Sequence, residues 1–419
     1  MKYVPIDSYK SLLRARRKEE SIMSESEINT NAKSIHDKIL TLDGHIDIEV
    51  SFFTPEKLGV TGYEKLASLE KMEEGGLDAA FFVAYSEQGP LTAEGYARAY
   101  ERAVEKIETI HRVIEDLMPD RVGLALHPDD VLPIHNAGKI VAIIALENGY
   151  PIGEDLENLK RFYGLGGRYI TLTLVGHNQI CDSKWSPAGP ESVHGGLSSF
   201  GGEVVAEMNK LGFIIDVSHI SKRSMLDAFG LSKAPVIVSH SGVQRIGGVG
   251  NVLDDEELDG LKENGGVIHI VGLKRAIKAD PPEKTAEIND LRKEFGFSVE
   301  FWPFFQAFQK APEEKRAAYE RRLEEIEKKY GRASVQDLVD HIDYVVKRIG
   351  IDHVGISSDF YDYSYSLDGW RDAGETFNVT LELVRRGYTV EEIEKIWSGN
   401  TLRVWREVEE VMAELQKGS

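Results

Sequence analysis

At 419 residues, with 42% hydrophobic and 29% charged residues, the chain has an ordinary globular composition and enough length for a full barrel core with insertions. Asp and Glu outnumber Lys and Arg by 70 to 50, and the resulting net charge of −20 argues against nucleic acid and anionic membrane surfaces as partners. The single cysteine, Cys181, excludes an intrachain disulfide and a four-sulfur metal site.

Residues 1–38 are polar and charged and read as an N-terminal arm, helical in character, ahead of one domain spanning 39–419. Lys10, Arg14, Arg16, Arg17 and Lys18 are not followed by the apolar stretch and small-residue cleavage site of a secretion signal. A cytoplasmic location is therefore expected, with a signal already removed left open. No run of 18 apolar residues is present, so no transmembrane helix is expected.

Eight short apolar, β-branched runs follow at 42–48, 79–85, 141–147, 169–174, 213–219, 236–240, 266–271 and 353–358. Runs of this kind between turn signals read as buried strands of a parallel sheet. Helical patterns fill most gaps, clearest at 93–117 and 202–211. Eight strands alternating with helices predict an α/β fold, a (β/α)8 TIM barrel, whose catalytic groups sit at the C-terminal ends of the strands. One gap is anomalous. Residues 276–334, between the seventh and eighth strands, form a charged helical insertion with an aromatic patch at Phe295, Phe297, Phe301, Trp302, Phe304, Phe305 and Phe308. A helical hairpin on the barrel wall is the plainer reading of it; a lid or a dimer surface is the alternative.

Chemistry-bearing residues gather at the strand ends. In His45-Ile46-Asp47 the first and third side chains share a strand face, placing an imidazole beside a carboxylate as a metal ion such as zinc prefers. Glu147 closes the run from Val141 to Leu146, where a buried carboxylate needs a cation: an Arg or Lys in the bland reading, two bridged metals in the sharper one. His219 and His240 each follow a Val-Ser pair at the ends of successive strands. A lone strand-end histidine is usually a core residue; two on adjacent strands, with the other groups, point to ligands. Asp359 ends the last strand, where it can take a proton from water and pass it to a leaving amine. His177 and His194, in the loop after the fourth strand, are within reach of the barrel top as substrate contacts.

These residues resemble the membrane (renal) dipeptidases, peptidase family M19, within the amidohydrolase-like barrels. The resemblance is carried by Asp43-Gly44-His45-Ile46-Asp47, Leu146-Glu147-Asn148-Gly149, Asp216-Val217-Ser218-His219 and Ser239-His240-Ser241, with 168–173, 196–201, 204–212, 353–360 and 398–404. It implies two zinc ions bridged by Glu147, one also held by His45 and Asp47 and the other by His219 and His240. It implies Asp359 as general acid/base and a bridging hydroxide as the attacking group. Two positions depart from the family pattern: Leu174 stands where the family has a substrate-binding His, and Gly250 where it has an Arg that grips the dipeptide carboxylate. His177 and Arg245 are the residues placed to compensate. The expected activity is hydrolysis of a dipeptide or related small amide. The alternatives are a tailoring step on a peptide-derived product and a metal-binding relic without turnover. The expected partner is a small amide or dipeptide, with a homodimer left open.

Overall fold

The computed structural model describes residues 24–48, 53–54, 57–58, 66–186, 190–360 and 366–418. Eight parallel strands form the body of the fold: β1 (Leu42–Asp47), β2 (Ala79–Tyr85), β3 (Ile140–Glu147), β4 (Gly167–Thr171), β5 (Ile214–Asp216), β6 (Ile237–Val243), β7 (Val267–Val271) and β8 (Val354–Ser357). They pair in chain order. The gap between β8 and β1 is spanned by the Ser358 amide donating to Asp43 Oδ1 at 2.9 Å and the Asp359 amide donating to the His45 carbonyl at 3.1 Å. The sheet is thus nearly closed into the expected (β/α)8 barrel.

Alternation along the strands sorts the core into two layers. Leu42, Phe81, Val83, Ile143, Ala145, Tyr169, Ile214, Ile237 and Val267 cluster inside the barrel with Leu402, Trp405 and Val408 of the helix Asn400–Lys417. Phe82, Ile144, Leu146, Ile170, Ile215, Val238, Ile270 and Ile356 pack outward against the surrounding helices. His269 of β7 fills the axis, donating its Nδ1–H to the Val238 carbonyl and accepting the Thr401 hydroxyl at Nε2. Gly44 and Gly355 make room for it: a Cβ on either would lie 2.8 or 2.5 Å from its ring.

The helices have local causes. Ala93–Arg112 starts at Thr92, whose hydroxyl accepts the Gly95 amide. Ser199–Leu211 starts at Ser198 and ends at Gly212, whose φ of +87° a glycine adopts without Cβ strain. Residues 1–23 of the expected arm lie outside the described residues; its end is the helix Glu25–His36, with Ser24 and Glu27 forming a capping box.

Four short strands were not anticipated, among them Phe53–Thr54 and Lys57–Leu58, which pair with each other. Val122–Leu124 pairs with β3 and Val252–Leu253 with β6, each too short for a periodicity to register. The 276–334 region is more than a hairpin. Helices Pro282–Glu294, Phe301–Gln309 and Glu313–Tyr330 surround a core of their own, made by Ile288, Leu291, Phe297, Phe304, Phe308, Tyr319, Leu323 and Ile326. Phe297, Phe304 and Phe308 of the sequence's aromatic patch belong to this core, and Phe295 packs against it. Buried Lys274 and Lys284, both paired with buried Glu327, tie it back to the segment after β7.

Candidate active site

The C-terminal ends of β1, β3, β5, β6 and β8 bring together six of the residues singled out in sequence. His45 Nε2 lies 3.2 Å from Asp47 Oδ1 and 3.9 Å from Glu147 Oε2. The other carboxylate oxygen, Glu147 Oε1, lies 3.1 Å from His219 Nε2 and 3.5 Å from His240 Nε2. Donor atoms of His45, Glu147 and His240 fall within 4.8 Å of one another, as do those of His45, Asp47 and Asp359. Asp359, expected as an acid/base, therefore also stands within ligand reach.

This donor set fits metal ions. The Nε2 atoms of His219 and His240 face each other at 2.6 Å, a distance at which two lone pairs repel unless a cation or proton lies between them. Three carboxylates converge with no Lys or Arg paired to Asp47 or Glu147 among the described ion pairs, and buried carboxylates need a cation. The titration behaviour carries the same imprint. Burial pulls His45 down, but its bond to Asp47 and the charges of Glu147, Asp47 and Asp359 outweigh it and push its pKa up to about 10. Burial, with the neighbouring His45 and His219, holds His240 well below the usual histidine range. Burial raises Asp359 above the usual carboxylate range, and Asp47 and Glu147 add to this while His45 opposes it.

A further layer fixes the ligands, and the sequence reading missed it. Tyr169 donates its hydroxyl to the Gly44 carbonyl at 3.3 Å and lies 2.8 Å from His45 Nδ1, so the tautomer that fits has Nδ1–H donating to Tyr169 and Nε2 facing the carboxylates. Ser239 Oγ lies 2.9 Å from His240 Nδ1 and donates to Asp216 Oδ2 at 2.6 Å. Asp216 also accepts from Thr171 Oγ1 and from the amides of Ser218 and Ser239. Asn251 joins the two histidine strands: its Oδ1 accepts the His219 amide and its Nδ2 donates to the His240 carbonyl. Asp43 accepts the amides of His45 and Ser358 through one oxygen, and burial pushes its pKa up to about 6. Asp216, a carboxylate inside the apolar run Phe213 to Val217, was the signal available in sequence.

Both histidines expected as substrate contacts bond within their own loop. His177 accepts the Ser183 amide at Nδ1 and faces the Pro190 carbonyl through Nε2, so both ring nitrogens serve the loop itself. That loop is built around Asp182. Burial disfavours its charge, but the Ser192 hydroxyl and the amides of Val193, His194 and Gly196 hold it well below the carboxylate range. His194 likewise turns its Nε2 to the Asn178 carbonyl. Arg245 lies exposed in the turn Gln244–Ile246. Leu174 is half-buried, its carbonyl accepting Ser183 Oγ at 2.6 Å. Gly250 is exposed with φ +91°, and Arg275 Nε lies 3.7 Å from where its Cβ would be.

The profile of "Membrane dipeptidase (Peptidase family M19)" matches residues 29–419. The chain belongs to the membrane dipeptidase family. It is 32% identical over 355 residues to "Dipeptidase tcpJ" of Claviceps purpurea (strain 20.1), covering 84% of this chain and 71% of that protein. It is 28% identical over 388 residues to "Dipeptidase verJ" of Clonostachys rogersoniana, covering 90% and 86%. Among solved structures, the probable dipeptidase PvdM from Pseudomonas aeruginosa superposes with a TM-score of 0.79 at 31% identity, over 92% of this chain and 99% of that one. The M19 chain is thus a metal-dependent hydrolase of the dipeptidase type, and the barrel is that of the family. Among the described residues no helix is long and apolar enough to cross a membrane.

Proposed function

We propose that this M19 protein is a binuclear, zinc-dependent hydrolase that cleaves a dipeptide or a related small amide. The observation that carries this reading is Glu147, whose two oxygens face different histidines: Oε2 faces His45, and Oε1 faces His219 and His240. His45, Asp47, Asp359 and one oxygen of Glu147 would hold one ion; the other oxygen, His219 and His240 would hold the second. Mixed imidazole and carboxylate donors suit zinc. Such ions, when bound, polarise a scissile carbonyl and bring the pKa of a water near neutrality.

The chain's own groups do the rest. Asp359 accepts the proton of the attacking water and returns it to the leaving amine, the exchange a carboxylate beside the reacting centre performs. Tyr169 and the Ser239–Asp216 pair lock the His45 and His240 rings, so the donors are aimed before substrate arrives. Asn251 ties the His219 and His240 backbones to each other.

A second reading concerns the substrate. Gly250 offers no side chain to a substrate carboxylate, which favours a substrate whose carboxylate is blocked; Arg275, beside that position, is the cation that would serve a free one. Metal analysis with a zinc-supplemented assay on dipeptides bearing free and amidated C termini separates these readings. Two metals per chain with hydrolysis of the free dipeptides supports the dipeptidase. Hydrolysis confined to amidated substrates supports the second reading. Metal without turnover across a broad amide and ester panel overturns both.

A further inference from the structure

Four of the eight exposed large hydrophobic residues among those described lie in segments that follow barrel strands. Among the described residues Leu91 follows β2, Trp185 and Val193 follow β4, and Val249 follows β6, whereas Leu132, Leu231 and Val390 lie on helices elsewhere and Val299 lies in the 276–334 insertion. Trp185 is the aromatic of this set, and it is 41% exposed. Large apolar side chains left at a site rim, where burial would otherwise stabilise them, mark a recognition surface.

Its backbone is fixed against the metal centre. The amide of the preceding Lys184 donates to the His219 carbonyl at 2.6 Å. Ser183 Oγ donates to the Leu174 carbonyl at 2.6 Å and has the carbonyls of Trp185 and His219 at 3.0 and 3.3 Å, and the Gly176 amide donates to the Trp185 carbonyl at 2.9 Å. On the other side of His219, Val249 stands two residues before Asn251, the residue that holds the His219 amide and the His240 carbonyl. Trp185 and Val249 thus each stand one or two residues from a group bonded to the His219 backbone, while no step of the hydrolysis uses either.

We propose that Trp185, together with Val249, is a specificity-determining residue that receives a bulky apolar side chain of the substrate. The inference rests on the hydrolase reading and narrows its substrate class to dipeptides or small amides with an aromatic or branched aliphatic residue. The test uses the full-length, zinc-loaded protein and compares kcat/KM for Leu-Phe with that for Ala-Ala. Trp185→Ala should lower the ratio of the two by at least about tenfold, mainly through KM, as loss of an apolar contact does. Trp185→Phe should restore most of the ratio, which a merely structural role would not do. An unchanged ratio, or Leu-Phe and Ala-Ala lost in equal proportion, overturns the inference while leaving the hydrolase reading standing. Absence of hydrolysis of either dipeptide by the wild type, in both its free and its C-terminally amidated form, overturns both.

Discussion

Asp216→Asn probes the layer that aims His240. Asp216 is fully buried and accepts five hydrogen bonds: Oδ1 takes the Ser218 amide, the Ser218 hydroxyl and the Ser239 amide, and Oδ2 takes Thr171 Oγ1 at 2.5 Å and Ser239 Oγ at 2.6 Å. In the substituted protein the three bonds to Oδ1 can persist. The NH2 group that replaces Oδ2 is a donor, so two charge-assisted bonds are lost or inverted. Bonds to charged groups stabilise by about 1.5–3 kcal/mol against about 0.5–1.5 for neutral ones, so the variant should be about 2–3 kcal/mol less stable. Ser239 Oγ then accepts from both the introduced amide and His240 Nδ1, leaving its own proton the Ser218 hydroxyl at 3.2 Å in place of a carboxylate and the His240 ring without its anchored partner. Loss of such a supporting bond typically lowers metal affinity about 10–100-fold. Denaturant unfolding of zinc-loaded and zinc-stripped protein, with a chelator-competition titration, reads both quantities. Ser239→Ala, which keeps four bonds on Asp216, should show most of the affinity loss and less of the stability loss. Full zinc affinity in both variants would refute the idea that this pair positions His240.

Three further variants test separate parts of the structure. Asp359→Asn should abolish turnover and, because Asp359 groups with His45 and Asp47, also lower zinc content below two per chain; full occupancy with lost turnover would restrict it to proton transfer. His341 is buried neutral, accepting the Val243 amide at Nδ1 and facing the Ile277 carbonyl through Nε2, and burial lowers its pKa to about 4. The unfolded chain protonates near 6.5, so stability is present above that pH and falls as pH drops towards 4, by about 3 kcal/mol for this one group. His341→Gln keeps one acceptor and one donor and should flatten that part of the profile in metal-free protein; an unaltered profile counts against the assignment. Gly250→Arg puts a side chain at φ +91° and near Arg275, so it should cost about 1–3 kcal/mol and lower the thermal midpoint, whatever it does to KM. An unshifted midpoint would mean the turn relaxes freely.

The barrel was legible because each strand is a short β-branched run between turn residues, and because His45, Glu147, His219, His240 and Asp359 each interrupt such a run at its polar end. The supporting layer was not, because its partners are remote in sequence. Tyr169 reads as an ordinary strand aromatic until His45, 124 residues away, is beside it. Ser239 reads as a turn residue until Asp216, 23 residues earlier, accepts its proton. The substrate contacts were least legible. His177 bonds within its loop through both ring nitrogens and His194 through Nε2, and no spacing rule distinguishes that from a ligand role.

Strict alternation would in fact have put two of the histidines on the wrong side. Ile214 and Asp216 face the barrel interior and Ile215 and Val217 the helices, so an extended chain would send residue 219 outward with 215 and 217. His219 instead has φ +64°, in the left-handed region, and its Nε2 meets Glu147. On β6, Ile237 faces inward and Val238 outward, and continued alternation would turn residue 240 outward. The pairing with β7 slips there, Ile268 opposite Val238 but Ile270 opposite Ser241, and the extra residue lets Ser239 and His240 both serve the site. A matching slip in β1, between Asp43 and Ile46, precedes the His45 and Asp47 pair. Asn148 and Asp359 are the other described non-glycine residues with positive φ, and one follows Glu147 while the other is itself in the site. Each such residue costs about 1–2 kcal/mol, which the surrounding barrel core must offset. The regular part of the fold therefore supplies stability, and the irregularities at its C-terminal rim aim the donors.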